Sequence, residues 1–255
     1  MITLDNILIL TDVTKRFGGL TALDGISMRI QQGLLNMLIG PNGSGKTTFI
    51  NCATGFYQPE NGQIWFKDTE ITGLSPHRIY ELGLVRTFQI PQPFRNLTIL
   101  ENFLTAYRGN PGESFFKAPL KKAWRSTEET ATERAFQFLK LLDLDHMWDR
   151  PATHLSGGQM KLVEAGRAIM SGAQMILMDE PAAGLFPKLA HEVFHYLTEM
   201  RDKLGVTFLI VEHRLDLVLP YIDYAYCLAR GRLISEGTPK KVLSDEVVID
   251  NYLGA

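Results

Sequence analysis

The chain of 255 residues is poor in cysteine, with Cys52 and Cys227 alone. They lack metal-ligand spacing and form no disulfide framework, so a reduced compartment is the simpler reading. Long apolar runs are missing too. None approaches the roughly 18 residues that would indicate a membrane span, and Asp223 breaks the most hydrophobic late stretch, "LVLPYIDYAYCLA". The opening "MITLDNILIL" has no basic region ahead of its apolar residues, which argues against a signal peptide. A protein of this kind working at a membrane would reach it by binding another protein. Excess charge is absent: the formal net charge of -2 gives no general signal for nucleic acid. There is no convincing internal repeat and no low-complexity linker. The 45% apolar content supports a substantial core, as one large domain or a core with a small subdomain.

Along the chain, "NILILTDVTKRF" and "LDGISMRI" read as strands, with Gly18-Gly19 and Gly25 marking turns. "GLLNMLI" reads as a buried strand entering a glycine loop, and "GKTTFINCATG" as the helix leaving it, stopped by Gly55. "GQIWFKD" and "GLVRTFQ" read as further strands, the latter ending at Gln89. From about residue 91 to 170 the pattern is mainly helical. "NLTILENFLTAY" begins a helix, "GNPGESFFKAPLKKAW" interrupts as an irregular hairpin or short helical insertion, and Ala131, Ala135, Phe138, Leu139 and Leu142 stripe one helix face. "SGGQMKLVEAGRAIM" reads as another helix. Alternation then resumes: strand "QMILMDE", a helix opened by Pro187, strand "VTFLIVE", and a hairpin around Gly231. The expected layout is an α/β core with small antiparallel strands, spanning 1–90 and 171–255, interrupted by a helical subdomain at 91–170.

"IGPNGSGKTT" carries the first chemical signal. Gly40, Gly45, Lys46 and Thr47 satisfy G-x-x-x-x-G-K-[ST] in full, with Asn42 and Gly43 inside the loop. Bare glycine backbone lets amides curl around phosphate oxygens, and the helix that follows points unpaired amides at the same oxygens. Lys46 supplies a point charge to the outer phosphates, and Thr47 can place a hydroxyl on magnesium. Thr48 either aids phosphate binding or faces the first helix turn. At "MILMDEP", an apolar strand ends in Asp179 and Glu180. Two adjacent carboxylates cost too much to bury unpaired, so a cation or hydrogen-bond donors belong beside them. Asp179 suits magnesium, and Glu180 suits the attacking water. In "LSGGQ", Ser156 caps a helix with Gln159 at the capping-box position, and Gly157 and Gly158 leave first-turn amides open to an anion. Taken alone, this is a capped helix. Beside the Lys46 loop it is a second phosphate cradle, which makes sense if two subunits each close over the other's nucleotide.

The phosphate loop, Gln89, "LSGGQ", "ILMDEP" and His213 occur in the order found in the ATPase subunit of ABC transporters, and the chain resembles that family over nearly its full length. Within it, "RFGGLTALDGIS", "TGFYQPENGQI", "GLVRTFQIPQPFRNLTILENF" and "MDEPAAGLFP" are most similar to the LivG-type subunit of branched-chain amino acid importers. The resemblance implies an α/β P-loop NTPase (RecA-like) core with an antiparallel β subdomain and an inserted α-helical subdomain, and Mg2+-dependent ATP hydrolysis. It implies that Phe17 stacks on adenine, that Gln89 touches magnesium and water while relaying movement to the helical subdomain, and that His213 contacts the outer phosphate. His191 and His195 read instead as helix-face residues. The implied partners are a second ATPase subunit (a LivF-like heterodimer, with an ATP-dependent homodimer as the alternative), two membrane permeases and, indirectly, an external binding protein. The implied location is the cytoplasmic face of the cell membrane, as a peripheral subunit, with no nucleic acid expected.

The chain departs from the pattern at three places. Phe186 stands where an acid or asparagine is usual, so contact between the two ATP sites is expected to use backbone groups. Met160 and Lys161 replace the commoner arginine-rich pair, and Arg214 follows His213 where an acid is frequent. Competing readings are a cassette for urea, another amino acid or a lipid, a non-transport ABC ATPase on nucleic acid or ribosomes, and an interaction subunit with negligible turnover.

Overall fold

The computed structural model describes residues 5–87 and 91–253. Strands β1 (Asn6–Phe17) and β2 (Leu20–Gln31) form a long antiparallel ribbon. It is joined by β4 (Asn61–Phe66) and the two-residue β5 (Thr69–Glu70) in the order β2-β1-β4-β5. Between β2 and β4 run β3 (Leu35–Ile39), every residue of which is buried, and helix α1 (Lys46–Ala53). Helix α2 (Pro76–Leu82) leads to β6 (Leu84–Arg86). Three helices follow: α3 (Ile99–Leu104), α4 (Lys121–Leu141) and α5 (Gly157–Met170). The chain then returns through β7 (Met175–Asp179), α6 (Pro187–Leu204), β8 (Thr207–Val211) and α7 (Leu215–Val218). It ends in the hairpin β9 (Tyr224–Ala229) and β10 (Arg232–Gly237), with α8 (Pro239–Leu243) and α9 (Glu246–Leu253).

The second sheet has the order β10-β9-β3-β8-β7-β6 and is parallel except at β10. Its central strands read as continuous apolar runs because layers cover both faces. On one side Leu38, Leu177, Leu209 and Val211 share a core with Phe49 of α1 and with Leu10, Ile26 and Ile64 of the antiparallel sheet. On the other, Met37, Ile176 and Ile210 share a core with Phe103, Ala135, Phe138 and Val163 of the helical segment and with Phe194 of α6.

The stripe expected at Ala131, Ala135, Phe138, Leu139 and Leu142 is buried throughout. The segment after residue 108 forms a 3-10 turn (Pro111–Glu113) before α4, where the Trp124 indole donates to the carbonyl of Ala118. Gly25 does not turn the chain. It lies within β2, where the β1–β2 register shifts, and its Cβ position would meet the Asp12 carboxylate at 2.9 Å. A bulge of this kind absorbs a positive φ without ending the strand. Helix α2, which the strand-and-turn reading passed over, starts at Ser75-Pro76 and ends at Gly83, φ 98°. Cys52 and Cys227 are free and buried, and burial pushes both thiols up to about 11.

The packing of α5 on α3 depends on Gly166. A Cβ there would fall 2.5 Å from the buried Phe103 ring. Alanine raises helix propensity by about 1 kcal/mol, but overpacking a buried contact costs roughly 1–3 kcal/mol. Gly166→Ala is therefore expected to lower the Tm by a few degrees. An equal or higher Tm in thermal melts would contradict this packing.

Candidate nucleotide site

Strand β3 ends in the middle of the parallel sheet, and the chain turns there through Gly40 to Gly45. Gly40 has φ 151°, and a Cβ on it would sit 2.1 Å from the Leu228 carbonyl oxygen. At Gly45, φ 105°, a Cβ would meet the Ala22 carbonyl oxygen at 2.6 Å. Only glycine fits either position. Gly45 is also the N-cap of α1 and offers no capping side chain, so the first turn faces the loop without one. Lys46 is 7% exposed and folds back over the loop, donating from Nζ to the carbonyls of Gly40 (2.7 Å) and Pro41 (3.0 Å). Burial pulls its ammonium below the usual lysine range, opposed by Asp179, Cys227 and Glu180. Ser44 Oγ is buried without a hydrogen-bond partner among the described residues. That orphaned hydroxyl and the glycine cradle suit an anionic group.

Asp179 closes β7, two strands from β3. The Arg86 guanidinium, from the neighbouring β6, lies 3.3 Å from its Oδ2 and also donates to Asn51 of α1. The donor required beside the acid pair is thus Arg86, which the sequence reading did not single out. A charged residue within the short strand "GLVR" was the available signal. Glu180 follows in the left-handed region at φ 50°, and its amide donates to the Val211 carbonyl at 2.8 Å. Its Oε1 stands 3.4 Å from His213 Nε2.

Two loops are tied together behind these side chains. Glu212, 3% exposed, accepts from the amides of Ala182 (2.7 Å), His213 (2.9 Å) and Arg214 (3.3 Å). Arg214 donates to the carbonyl of Leu185 at 3.2 Å. Lys161 of α5 donates from Nζ to the Glu180 carbonyl at 3.1 Å. The loop that carries the unusual Phe186 is therefore held by its backbone, while the Phe186 ring is 79% exposed. Glu212 was legible only as an acid ending the apolar run "FLIV".

A cleft of about 590 Å³ unites Phe17, Asn42, Gly43, Gly45, Lys46, Thr47, Thr48, Asp179, Glu180 and His213, with Arg230 at its margin. Phe17 is half-exposed, edge-on to Tyr57 at 5.2 Å and with Lys15 Nζ 5.2 Å from its centroid. The cleft can take a flat ring at the Phe17 end and an oligophosphate at the Lys46 end, with a carboxylate and an imidazole beyond the last phosphate.

Ser156, Gly157, Gly158 and Gln159 do not line it. Gln159 donates its amide to Ser156 Oγ at 3.3 Å, and Ser156 donates its own to Gln159 Oε1 at 2.9 Å, completing the expected capping box. Ser156, Gly158 and Gln159 open instead onto a shallow hollow of about 250 Å³ beside Glu192 and Tyr196. Gln89 lies outside the described residues. His191 and His195 sit on α6, with His191 Nδ1 3.2 Å from the Tyr221 hydroxyl.

A family model described as ABC transporter matches residues 23–183, more than half of the chain and all of the loop, acid-pair and capped-helix segments. The chain belongs to the ABC transporter family. This ABC cassette is 48% identical over 247 residues, 95% of each chain, to the probable branched-chain amino acid transport ATP-binding protein LivG of Methanocaldococcus jannaschii. It is 36% identical to the high-affinity branched-chain amino acid transport ATP-binding protein LivG of Escherichia coli strain K12, covering 94% of both chains. Among solved structures it superposes with a TM-score of 0.83 on the ADP conformation of MJ1267, an ATP-binding cassette of an ABC transporter. That match is at 47% identity and covers 98% of this chain and 100% of the other. The cassette is an ATPase with a nucleotide site, and its fold is the expected P-loop core with an antiparallel β subdomain and a helical part. No helix among the described residues is long and apolar enough to cross a membrane.

Proposed function

We propose that this ABC ATPase powers the import of branched-chain amino acids through membrane permeases, working on the cytoplasmic face as a peripheral subunit. The observation that carries the cargo is the end-to-end similarity to relatives named for that transport, 48% identical over 95% of both chains. Residues 1–90 and 171–255 act as the nucleotide-binding core with its β subdomain, and 91–170 as the helical subdomain. Phe17 stacks on adenine, while the loop from Gly40 through Asn42 and Gly43 to Gly45, with Thr48, wraps the phosphates. Lys46 binds the outer phosphates. Thr47, Asp179 and Gln89 would hold Mg2+, a set of oxygen donors that suits a hard cation, and the ion would offset phosphate charge. Glu180 takes the proton of the attacking water, and His213 donates to the outer phosphate.

Ser156, Gly157, Gly158 and Gln159 act on the ATP of a second ATPase subunit, here a LivF-like partner, with an ATP-dependent homodimer as the alternative. The support for this is their separation from the Lys46 cleft. A permease would dock beside Gln92 and Phe94, above a hollow of about 440 Å³ lined by Tyr80, Arg86, Thr105 and Arg167. That segment is preorganised: the buried Asn102 accepts from the Phe94 amide (2.8 Å) and donates to its carbonyl (3.0 Å). An external binding protein delivers the cargo, and nucleic acid is not a partner.

Purification of the detergent-solubilised complex through this subunit, followed by reconstitution, tests the reading. The expected result is two permeases and a second ATPase in the complex, with vesicles that take up leucine, isoleucine or valine only with ATP. Uptake of urea or a lipid instead would replace the cargo. Recovery with ribosomal or DNA-repair proteins and no permeases would overturn the transport reading.

A further inference from the structure

Lys161 is a buried cation that reaches the backbone of Glu180. It is 5% exposed, and burial pulls its ammonium below the usual range, opposed by Glu164, Glu212 and Glu180. A buried cation among three carboxylates is held in place by its surroundings, and removing it alone leaves their charge uncompensated. The ammonium reaches a peptide group of the candidate site. Its Nζ donates to the carbonyl of Glu180, which also accepts from the Ala183 amide at 3.0 Å. On the other side of the same residue, the Glu180 amide is fixed to Val211. Between these anchors Glu180 holds φ 50°, a conformation that a β-carbon disfavours by about 1–2 kcal/mol and that persists only when its surroundings over-determine it. The direction of the Glu180 side chain, toward His213 and the cleft, follows from that backbone.

Lys161 also belongs to α5, whose N-terminus is the Ser156–Gln159 capping box. Lys161 lies five positions after the N-cap Ser156, about 7.5 Å along the helix axis. The end that faces a second subunit and the side chain that holds Glu180 therefore move together.

We propose that Lys161 is a positioning residue that links the Ser156 end of α5 to Glu180, so that engagement of a partner's nucleotide at Ser156–Gly158 sets the carboxylate of this subunit's own site. This rests on the reading that Glu180 activates the water and that the Ser156 segment acts in a second subunit.

The test compares Lys161→Met, Lys161→Gln, Glu180→Gln and the Lys161→Met/Glu180→Gln double variant in the assembled transporter. The measurements are kcat, KM for ATP, the Hill coefficient, nucleotide Kd and Tm. For Lys161→Met we expect Kd and KM within about threefold of wild type, with the Tm reporting whether the fold is kept. The same variant should lose tenfold or more in kcat, with a Hill coefficient falling toward one. Lys161→Gln, which keeps a donor, should recover part of kcat and provides a second test if the methionine variant fails to fold. On the Glu180→Gln background, Lys161→Met should cost nothing further, because both act through one carboxylate. A wild-type kcat and Hill coefficient in folded Lys161→Met would overturn the proposal, as would a Lys161→Gln kcat no higher than that of Lys161→Met, or full additivity in the double variant. A Glu180→Gln protein with near-normal turnover would instead remove the underlying reading of the site.

Discussion

Replacing Glu180 by glutamine is expected to lower the kcat for ATP hydrolysis by roughly 100- to 10,000-fold, the range spanned by a positioned general base. The substitution keeps the shape of the side chain and its reach toward His213, 3.4 Å away. It leaves the peptide anchors to Val211, Ala183 and Lys161 unchanged, because these are made by backbone atoms of residue 180. What it removes is the ability to accept a proton from water. Nucleotide affinity should hold or tighten, since one negative charge leaves a cleft built for phosphate. Slow hydrolysis with intact binding should also let ATP hold two subunits together, which size-exclusion chromatography with light scattering would register as ATP-dependent association with the natural partner ATPase. Steady-state turnover in the reconstituted complex is the deciding measurement, and a kcat within tenfold of wild type would exclude Glu180 as the base.

The second large effect is expected at Lys46. Lys46→Met should weaken ATP binding by about 100-fold or more, corresponding to the loss of one or two charge-assisted hydrogen bonds of about 1.5–3 kcal/mol each. Lys46 is the lysine among the residues lining the cleft, and its ammonium already sits at the loop carbonyls of Gly40 and Pro41. Stability should move the other way or not at all. The folded protein lowers the pKa of this group through burial. For a base, a folded-state pKa below the unfolded one means a cost that is present at neutral pH and fades as pH rises through the unfolded value. Methionine removes that cost while filling similar space. Titration calorimetry and thermal melts on the same sample separate the two effects. Lost binding with a lower Tm would make Lys46 a structural residue first, and unchanged binding would displace it from the phosphate site.

The anchoring between the two loops bypasses the side chain of Phe186. In this chain the contacts across the loop after β7 are made by Glu212 to the Ala182 amide and by Arg214 to the Leu185 carbonyl. Neither depends on the side chain at position 186. Arg214, the residue after His213, donates to the Leu185 carbonyl of the loop that carries Phe186.

The sequence by itself determined the parts whose cause is local. An apolar run ending at Gly40, a glycine loop and a helix starting at Lys46 follow from backbone sterics and period, as do the stripe of α4 and the Ser156–Gln159 box. The turn assigned to Gly25 and the missed helix α2 show the limit of that reading. A bulged glycine and a turn glycine share the same local preference, and a seven-residue helix shows too little periodicity to announce itself. Only the tertiary structure brought Arg86 to Asp179, and Lys161, Glu212 and Arg214 to the loop after β7. These pairs are 93, 19, 30 and 29 residues apart, and no local pattern encodes which strand edge or helix face will meet another. The same packing decided that Lys46, Asp179, Glu180 and His213 share one cleft while Ser156 faces away from it, because strand order places the ends of β3, β7 and β8 side by side and α5 on the opposite layer.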